Sequence, residues 1–267
     1  MAWQILEGDC IDVMRTLPAE SVDSIVTSPP YAMQRKATYG GVPESEYPAW
    51  TVAWMCEARR LLKPDGSVII NIRPHVRNGQ ISDYTLRTRL ALREAGWCEI
   101  DELIWHKPAS APLGHIGRPR RSWESLHWFA THGKPFADPK AGGAPVVRAD
   151  AVAGGRNGSH IHVAEGMRGL TIAGRARVTD VARVATSNER GSDLNDHPAP
   201  FPPALAEWVG KLICPQGGTI LDPFSGSAST GVACIRNGWD YIGIEAMPEY
   251  AAMSRKRLVH TEAEQAA

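Results

Sequence analysis

Short apolar runs of strand length alternate with helical patterns at both ends of this 267-residue chain. This alternation constrains the fold most, because strands separated by helices form a parallel sheet with helices on its faces. The predicted strands are WQILEG, VDSIVTS, SVIINIRP, WCEIDELIWHKP, SLHWFATHG, GTILDPF and DYIGIEA. The predicted helices cover 47–62, 83–96, 201–213, 229–238 and 248–263. We therefore predict an α/β protein with a doubly wound parallel sheet.

The regular pattern stops between residues 135 and 195, a stretch rich in Gly, Ala and Arg. It is either a flexible insertion or a small lobe that reads a substrate. The chain therefore divides into a first half over 1–134, an insert over 135–195 and a second half of the same domain over 196–267.

Composition excludes several protein classes. No run approaches the roughly 18 apolar residues of a membrane span, and Glu7 and Asp9 interrupt the first apolar segment, so we expect no signal peptide. The five cysteines form no Cys-x-x-Cys pair. This spacing argues against a zinc site or a disulfide framework and favours a reducing, cytoplasmic location.

The formal net charge is zero, but its distribution is uneven. Residues 106–190 contain 13 Lys and Arg against 6 Asp and Glu, which leaves a net charge of +7 there. A basic central segment in an otherwise acidic chain is suited to binding a polyanion on one part of the protein surface. Scattered, solvated arginines are the alternative.

A stiff loop follows the second predicted strand, in the segment IVTSPPYAMQ at 25–34. Proline lacks a backbone N–H and biases the residue before it towards extended geometry. Ser28, Pro29, Pro30 and Tyr31 must therefore leave the strand as a rigid loop that presents one hydroxyl group and one aromatic ring. Without further context, a Pro-Pro turn with Tyr31 packed on a helix is the plainer interpretation.

A second loop lies near the end of the chain, in GTILDPFSGSASTGVACIRNGWDYIGIEA at 218–246. It follows a strand and leads into a helix, and Gly226 allows a ligand to approach the backbone closely. Glu245 ends the next strand, 19 residues after Gly226, where an acid reads ribose hydroxyls in nucleoside-binding Rossmann folds. Alone, the loop is weak evidence, because GSAS lacks the last glycine of GxGxxG.

Together the two motifs resemble the amino-methylating DNA methyltransferases of the β class, in which a catalytic SPPY or DPPY motif precedes the cofactor motif DPFxGSGTT. The resemblance also takes in LEGDC, LLKPDG, IWHKP, RSWESLHWFATHGKP and HPAPFP. It implies a Rossmann-like methyltransferase sheet with a circularly permuted motif order. Residues 1–134 would form the catalytic half and 196–267 the cofactor-binding half. The unmatched 135–195 would form a small, irregular target-recognition insert.

The resemblance implies S-adenosylmethionine as cofactor and an exocyclic amino group in double-stranded DNA as methyl acceptor. The Ser28 hydroxyl and the Pro29 carbonyl would accept the hydrogens of this amine, while both prolines stiffen the loop. Tyr31 would stack on the base after it has left the duplex. The predicted catalytic residues are Ser28, Pro29, Pro30 and Tyr31.

The cofactor residues implied by the resemblance come from both ends of the chain. Asp9, beside Cys10, would bind the adenine amino group, Glu245 the ribose, and His197 would cover the cofactor. The methionine part would lie on the loop at 222–226. The full set is Asp9, Cys10, Asp222, Pro223, Phe224, Ser225, Gly226, Ser227, Glu245 and His197. An Asp at a strand end is more often a turn residue, and a His before Pro can be a surface turn. The sequence departs from the family motif where Ala228-Ser229 replaces Gly-Thr.

The expected DNA-binding residues are Lys107, Arg118, Arg120 and Arg121. Contacts to phosphate would position the enzyme without reading sequence. Lys107 belongs to the stretch 105–107, for which we expect a positioning role near the flipped base; a core Trp105 is the alternative.

The motif TSPPY is found mostly in enzymes that methylate cytosine at N-4, so we predict this target and keep adenine N-6 as the alternative. Methylation at carbon 5 of cytosine would need a Cys nucleophile after a proline, whereas Cys214-Pro215 has the reverse order. Three other protein classes would account for fewer of the motifs: an RNA or small-molecule methyltransferase, a nicotinamide oxidoreductase and a non-catalytic DNA-binding module. A restriction endonuclease is an expected functional partner, and the enzyme would be a monomer or a homodimer.

Overall fold

The computed structural model describes residues 2–34, 41–108, 117–144, 174–186 and 202–266. The helices and strands of this part of the chain are β1 (Trp3–Glu7), α1 (Cys10–Thr16), β2 (Val22–Thr27), α2 (Tyr47–Leu61), β3 (Leu62–Ile72), β4 (Val76–Arg77), β5 (Gln80–Ile81), α3 (Tyr84–Glu94), β6 (Cys98–His106), β7 (Trp123–Ala130), β8 (Val181–Arg183), α4 (Pro203–Ile213), β9 (Thr219–Asp222), α5 (Ser229–Asn237), β10 (Asp240–Glu245) and α6 (Pro248–Ala266).

Among the described residues, eight strands form one sheet in the order β1-β10-β9-β2-β3-β7-β6-β8. The α/β class is confirmed, and one strand departs from the predicted parallel arrangement, because β7 runs antiparallel to both β3 and β6. The segment 107–122 between β6 and β7 is rich in Pro and Gly and carries no helical pattern. Parallel neighbours need a crossover connection, usually a helix, whereas antiparallel neighbours do not.

Helices cover both faces of this sheet, because strand residues alternate between two apolar layers. Val26 and Ile69 belong to the layer that holds α4 and α5 residues. Ile25 and Ile70 belong to the opposite layer, with residues of α1, α2 and α3. Burial on both faces explains the nearly continuous apolar runs in the sequence of the central strands.

Three local elements were missed by the sequence patterns. Helix α1 begins after Asp9, whose Oδ1 accepts hydrogen bonds from the backbone N–H groups of Ile11 at 2.9 Å and Asp12 at 3.4 Å. Strands β4 and β5 form a hairpin around Asn78 and Gly79, with φ of 50° and 74°. Strand β8 adds an edge to the sheet beside β6.

The described parts of the predicted insert, 135–144 and 174–186, pack on the sheet domain. The backbone N–H of Phe136 donates to the Asp65 carbonyl at 2.9 Å, and that of Asp138 donates to the Leu212 carbonyl at 2.8 Å. Because β8 also belongs to this segment, the insert is in part an extension of the central sheet. In the described part of the chain, no helix is long and apolar enough to cross a membrane.

Candidate active site

The two predicted loops leave the same edge of the sheet. Strand β9 pairs with β2 through Ser24 with Ile220 and Ile25 with Leu221, although these residues are almost 200 positions apart in sequence. Beyond the paired residues, Thr27 Oγ1 donates to Asp222 Oδ1 at 2.7 Å. This hydrogen bond joins the residue before Ser28 to the residue before Pro223, so the sequence-based placement of β9 beside β2 is confirmed.

The serine of the first loop faces a buried asparagine on β3. Ser28 is half-buried, and its Oγ lies 3.4 Å from Asn71 Oδ1. Asn71 is 1% exposed, and its Nδ2 donates to the Ser125 carbonyl at 3.0 Å, which turns its oxygen towards the loop. A Ser28 proton directed at this oxygen leaves the lone pairs of the Ser28 hydroxyl free to accept other hydrogens.

Tyr31 is half-buried, and its hydroxyl meets two acceptors from neighbouring strands. The phenol oxygen lies 2.7 Å from Glu124 Oε2 on β7 and 3.2 Å from Asn71 Oδ1 on β3. Burial, followed by the Glu124 carboxylate, raises the pKa of Tyr31 well above its ordinary value. The phenol therefore keeps its proton and acts as a hydrogen-bond donor.

Glu124 lies among cations at the start of β7. It is 5% exposed, and its Oε1 pairs with Lys107 Nζ and lies 3.6 Å from Arg73 Nε. The Lys107 side chain is 12% exposed, and its Nζ lies 3.9 Å from the centre of the Trp105 ring. Burial lowers the pKa of Lys107, and the Glu124 carboxylate opposes this shift. These contacts favour a place within the site for Lys107 over the expected phosphate contact.

The second loop is braced from within by Asp222. Its carboxylate accepts hydrogen bonds from Thr27 Oγ1 at 2.7 Å, Thr230 Oγ1 at 2.9 Å and the Phe224 N–H at 3.1 Å. Burial raises the pKa of Asp222 to about 6, although all three hydrogen bonds oppose the shift. This carboxylate is occupied by the protein, so its contribution is to shape the loop.

Glu245 fixes the other side of the same loop. Its Oε2 accepts the Gly226 N–H at 2.9 Å, and its Oε1 accepts the Met247 N–H at 2.9 Å. Gly226 has φ of 54°, a conformation that glycine adopts without steric cost. Through these two contacts the Glu245 carboxylate joins the loop to the turn that precedes α6.

Ala228, where the sequence departs from the family motif, also has a left-handed backbone. Its φ of 56° and ψ of 38° place it just before α5, and its side chain is fully buried. A Cβ atom in this region costs about 1–2 kcal/mol, which explains why glycine suits this position in the motif.

Side chains of the terminal helix α6 form hydrogen bonds with the glycine-containing loop and with the start of α5. Ser254 Oγ donates to the Gly226 carbonyl at 2.6 Å, and Arg257 donates to the Ser227 carbonyl at 2.8 Å and the Ser229 hydroxyl at 3.1 Å. Ser225 Oγ lies 2.9 Å from the Tyr241 hydroxyl. The loop is thus preorganised by contacts on all of its inner sides.

The remaining predicted cofactor residues are placed differently. Cys10 is the buried first residue of α1, and burial raises the pKa of its thiol to about 12. The Phe224 ring packs on Trp54 and Trp50, with ring centres 5.4 and 5.5 Å apart. His197 lies outside the described residues.

The predicted DNA-binding arginines lie beside the hairpin of β4 and β5. Arg118 donates to the Gly79 carbonyl and Arg121 to the Pro74 carbonyl. Arg118 and Arg120 are exposed, while Arg121 is half-buried. The Trp105 indole donates to the Val184 carbonyl at 2.8 Å and is buried, which supports the core alternative for that residue.

Sequence reasoning missed Asn71, Glu124, Thr27 and Thr230. Asn71 stands in the apolar run SVIINI and Glu124 in WESLHWFA. A polar residue in a buried strand needs a partner, so both residues carried a signal that could have marked them. Their partners lie far away in the sequence, on the loop at 28–31 or beyond the end of β6, and could not be read from it.

The site is that of a Rossmann-like methyltransferase: the rigid loop at 28–31, called the acceptor loop below, and the glycine-containing loop at 222–228 lie together at the carboxyl ends of β2 and β9. The loop backbone at 222–226, the Glu245 carboxylate and the second carboxylate oxygen of Asp9 are polar groups of the kinds expected for the amino-acid, ribose and adenine parts of S-adenosylmethionine.

Comparison with known proteins agrees with this class. A family model for N6/N4 DNA methylases matches residues 22–256, so the chain belongs to this family. The Type II methyltransferase M.Cfr9I of Citrobacter freundii is 30% identical, with 95% of this chain and 87% of the relative covered. M.PvuII of Proteus hauseri is 24% identical over 94% of this chain and 82% of the relative.

Solved structures show the same fold. The cytosine-N4-specific PvuII DNA methyltransferase matches with a TM-score of 0.73 at 23% identity, covering 96% of this chain and 86% of that one. A complex of M1.HpyAVI with S-adenosylmethionine matches with a TM-score of 0.60 at 20% identity, covering 96% and 100%. The chain is therefore a DNA methyltransferase that uses S-adenosylmethionine.

Proposed function

We propose that this enzyme transfers a methyl group from S-adenosylmethionine to N-4 of a cytosine that has been flipped out of double-stranded DNA. The main support for this proposal is the Thr27–Asp222 hydrogen bond of 2.7 Å, which holds the acceptor loop and the glycine-containing loop side by side. The choice of cytosine rests on the TSPPY motif and on the likeness to M.PvuII, whose structure is named cytosine-N4-specific.

The protein's own contribution is to hold the amine. The nitrogen lone pair of an exocyclic amine is conjugated with the base ring, so the amine is a poor nucleophile. Ser28 Oγ and the Pro29 carbonyl accept its two hydrogens and favour a more pyramidal nitrogen. The contact between Ser28 and Asn71 supports this role, because it directs the serine proton away from the amine. Bound S-adenosylmethionine supplies an electrophilic methyl group on sulfur.

Tyr31 provides the ring on which the flipped base stacks, and Asp222, Glu245 and the loop between them set the position of the donor. Desolvation of this crevice by Phe224 and the two tryptophans of α2 strengthens every polar contact within it. Aligning amine and donor in this way removes much of the entropic cost of a bimolecular step.

The DNA would lie across the edge that carries Arg118, Arg120 and Arg121. The contacts of Arg118 with the Gly79 carbonyl and of Arg121 with the Pro74 carbonyl support this, because both acceptors lie in the segment that follows β3, the strand that holds Asn71. The positive charge of this surface suits phosphates. We also propose the insert 135–195 as the segment that reads the target sequence.

The base is identified by digesting plasmid DNA methylated by the purified enzyme to nucleosides and analysing them by mass spectrometry. N-4-methylcytosine is the expected product. N-6-methyladenine would shift the assignment to the alternative target, and unmodified DNA would refute the proposal. Sequencing that reads modified bases then gives the recognition site. A nuclease from the same source that cleaves this site when it is unmethylated, and not when it is methylated, would be the expected partner restriction endonuclease.

A further inference from the structure

One carboxylate in the site has no role in the proposed chemistry so far. Glu124 is 5% exposed, and a buried charge is costly unless it is paired and hydrogen-bonded. Its two oxygens have different partners: Oε1 faces Lys107 and Arg73, whereas Oε2 lies 2.7 Å from the Tyr31 hydroxyl. Both oxygens therefore have partners, and a hydrogen bond from a hydroxyl to a carboxylate is stronger than one between neutral groups.

This arrangement fixes Tyr31 from the far end of its ring. A phenol has one proton, and the shorter contact of 2.7 Å to Glu124 receives it in preference to the contact of 3.2 Å to Asn71. A ring held at its hydroxyl, and at its Cα by a proline-stiffened loop, has little freedom to change its plane. The plane of this ring decides where a stacked base, and therefore its amine, lies relative to Ser28.

We infer that Glu124 is a positioning residue for methyl transfer, which acts through the Tyr31 hydroxyl to set the plane on which the target base stacks. Lys107 and Arg73 complete the unit by holding the Glu124 side chain in place. The inference rests on the proposed function, because it assigns a role within the same site. Glu124 itself touches neither the base nor the cofactor in this scheme.

The test compares Glu124→Gln, Tyr31→Phe and the double variant, using duplex DNA that carries the recognition site found by modification sequencing. Single-turnover methylation should slow by about tenfold or more in each single variant, the effect of losing one hydrogen bond to a charged group. The double variant should be no slower than the slower single variant, because both changes remove the same interaction. Affinity for S-adenosylmethionine, measured by calorimetry, should stay within about twofold.

A second measurement, the fluorescence of a base analogue, would not change if Glu124 had only a structural role. A duplex with 2-aminopurine in place of the target base reports stacking through its fluorescence, and both single variants should give the same emission, different from that of the wild type.

Glu99→Gln is the matched control. Glu99 is also a shielded carboxylate on an inner strand, with 11% side-chain exposure and Arg89 Nε at 2.6 Å, but it lies outside the active site. It should lose stability as Glu124→Gln does and keep the wild-type rate and emission.

The inference would be refuted if the rate reductions of Glu124→Gln and Tyr31→Phe multiplied in the double variant. A wild-type methylation rate in Glu124→Gln would also refute it. If Glu124→Gln does not fold, the combination Glu124→Gln with Lys107→Met removes both members of the buried pair and takes its place. A wild-type enzyme that methylates no DNA would instead refute the proposed function.

Discussion

The ionisation of Asp222 should make the stability of the cofactor-free enzyme fall as the pH rises. Burial raises the pKa of this carboxyl from 3.8 to about 6, so the folded state keeps a proton that the unfolded state has already lost. The stabilisation is fully present below the unfolded pKa and is lost as the pH passes through the folded pKa. The difference between the unfolded and folded pKa values corresponds to about 3 kcal/mol of folding free energy.

Asp222→Asn imitates the protonated side chain at every pH. The asparagine keeps one oxygen for the Phe224 N–H, and a threonine hydroxyl can rotate to accept from its NH2 group. Any hydrogen bond that is lost shifts the stability by an amount independent of pH. The stability of the variant relative to the wild type should therefore rise by about 2 kcal/mol between about pH 4.5 and about pH 7.5.

Urea unfolding followed by tryptophan fluorescence, at a series of pH values, measures this relative stability. Asp12→Asn serves as the control, because the Asp12 side chain is 76% exposed and its partner is an arginine, a side chain that does not titrate in this range. A difference between Asp222→Asn and the wild type that stays constant within about 0.5 kcal/mol over this pH range would refute the argument that burial dominates the carboxyl's environment.

Three further changes test other parts of the molecule. Ser28→Ala should keep the affinity for S-adenosylmethionine and lower turnover about 100-fold or more; normal methylation would show that the acceptor loop has been misassigned. Gly231→Ala should lower the free energy of unfolding by about 1–3 kcal/mol, because the new Cβ would lie 2.6 Å from Tyr241 Cε1, whereas Gly133→Ala meets nothing within 4 Å and should be neutral. Replacing Arg120 and Arg121 by Gln should weaken DNA binding and reduce its salt slope by about 2; an unchanged slope would exclude this surface as the DNA face.

The sequence identified the two loops well because each carries a local signal. Proline fixes the backbone around Ser28 whatever surrounds it, and Gly226 marks a bend that other residues adopt only at a cost. The helices and most strands followed from periodicity in the same way. The strands that were hard to place, β7 and β8, have directions or neighbours that no local pattern records.

Lys107 shows the limit of reading charge from the sequence. A lysine within a basic stretch suggests a phosphate contact, but the fold turns this one towards Glu124 and the Trp105 ring. Asp222 shows the same limit: its motif suggests a ligand contact, and the fold surrounds its carboxylate with two threonine hydroxyls and a backbone N–H.

The sequence by itself determined the class of this enzyme, its cofactor and the loop that we propose to hold the amine, since short-range backbone constraints are carried by consecutive residues. Only the tertiary structure decided that Thr27 bonds to Asp222 across 195 positions of the chain and that Tyr31 bonds to Glu124 across 93. Strand pairing sets such neighbours through backbone hydrogen bonds that are nearly independent of side-chain identity. For this reason the residues that orient the site became visible only when the strands lay side by side.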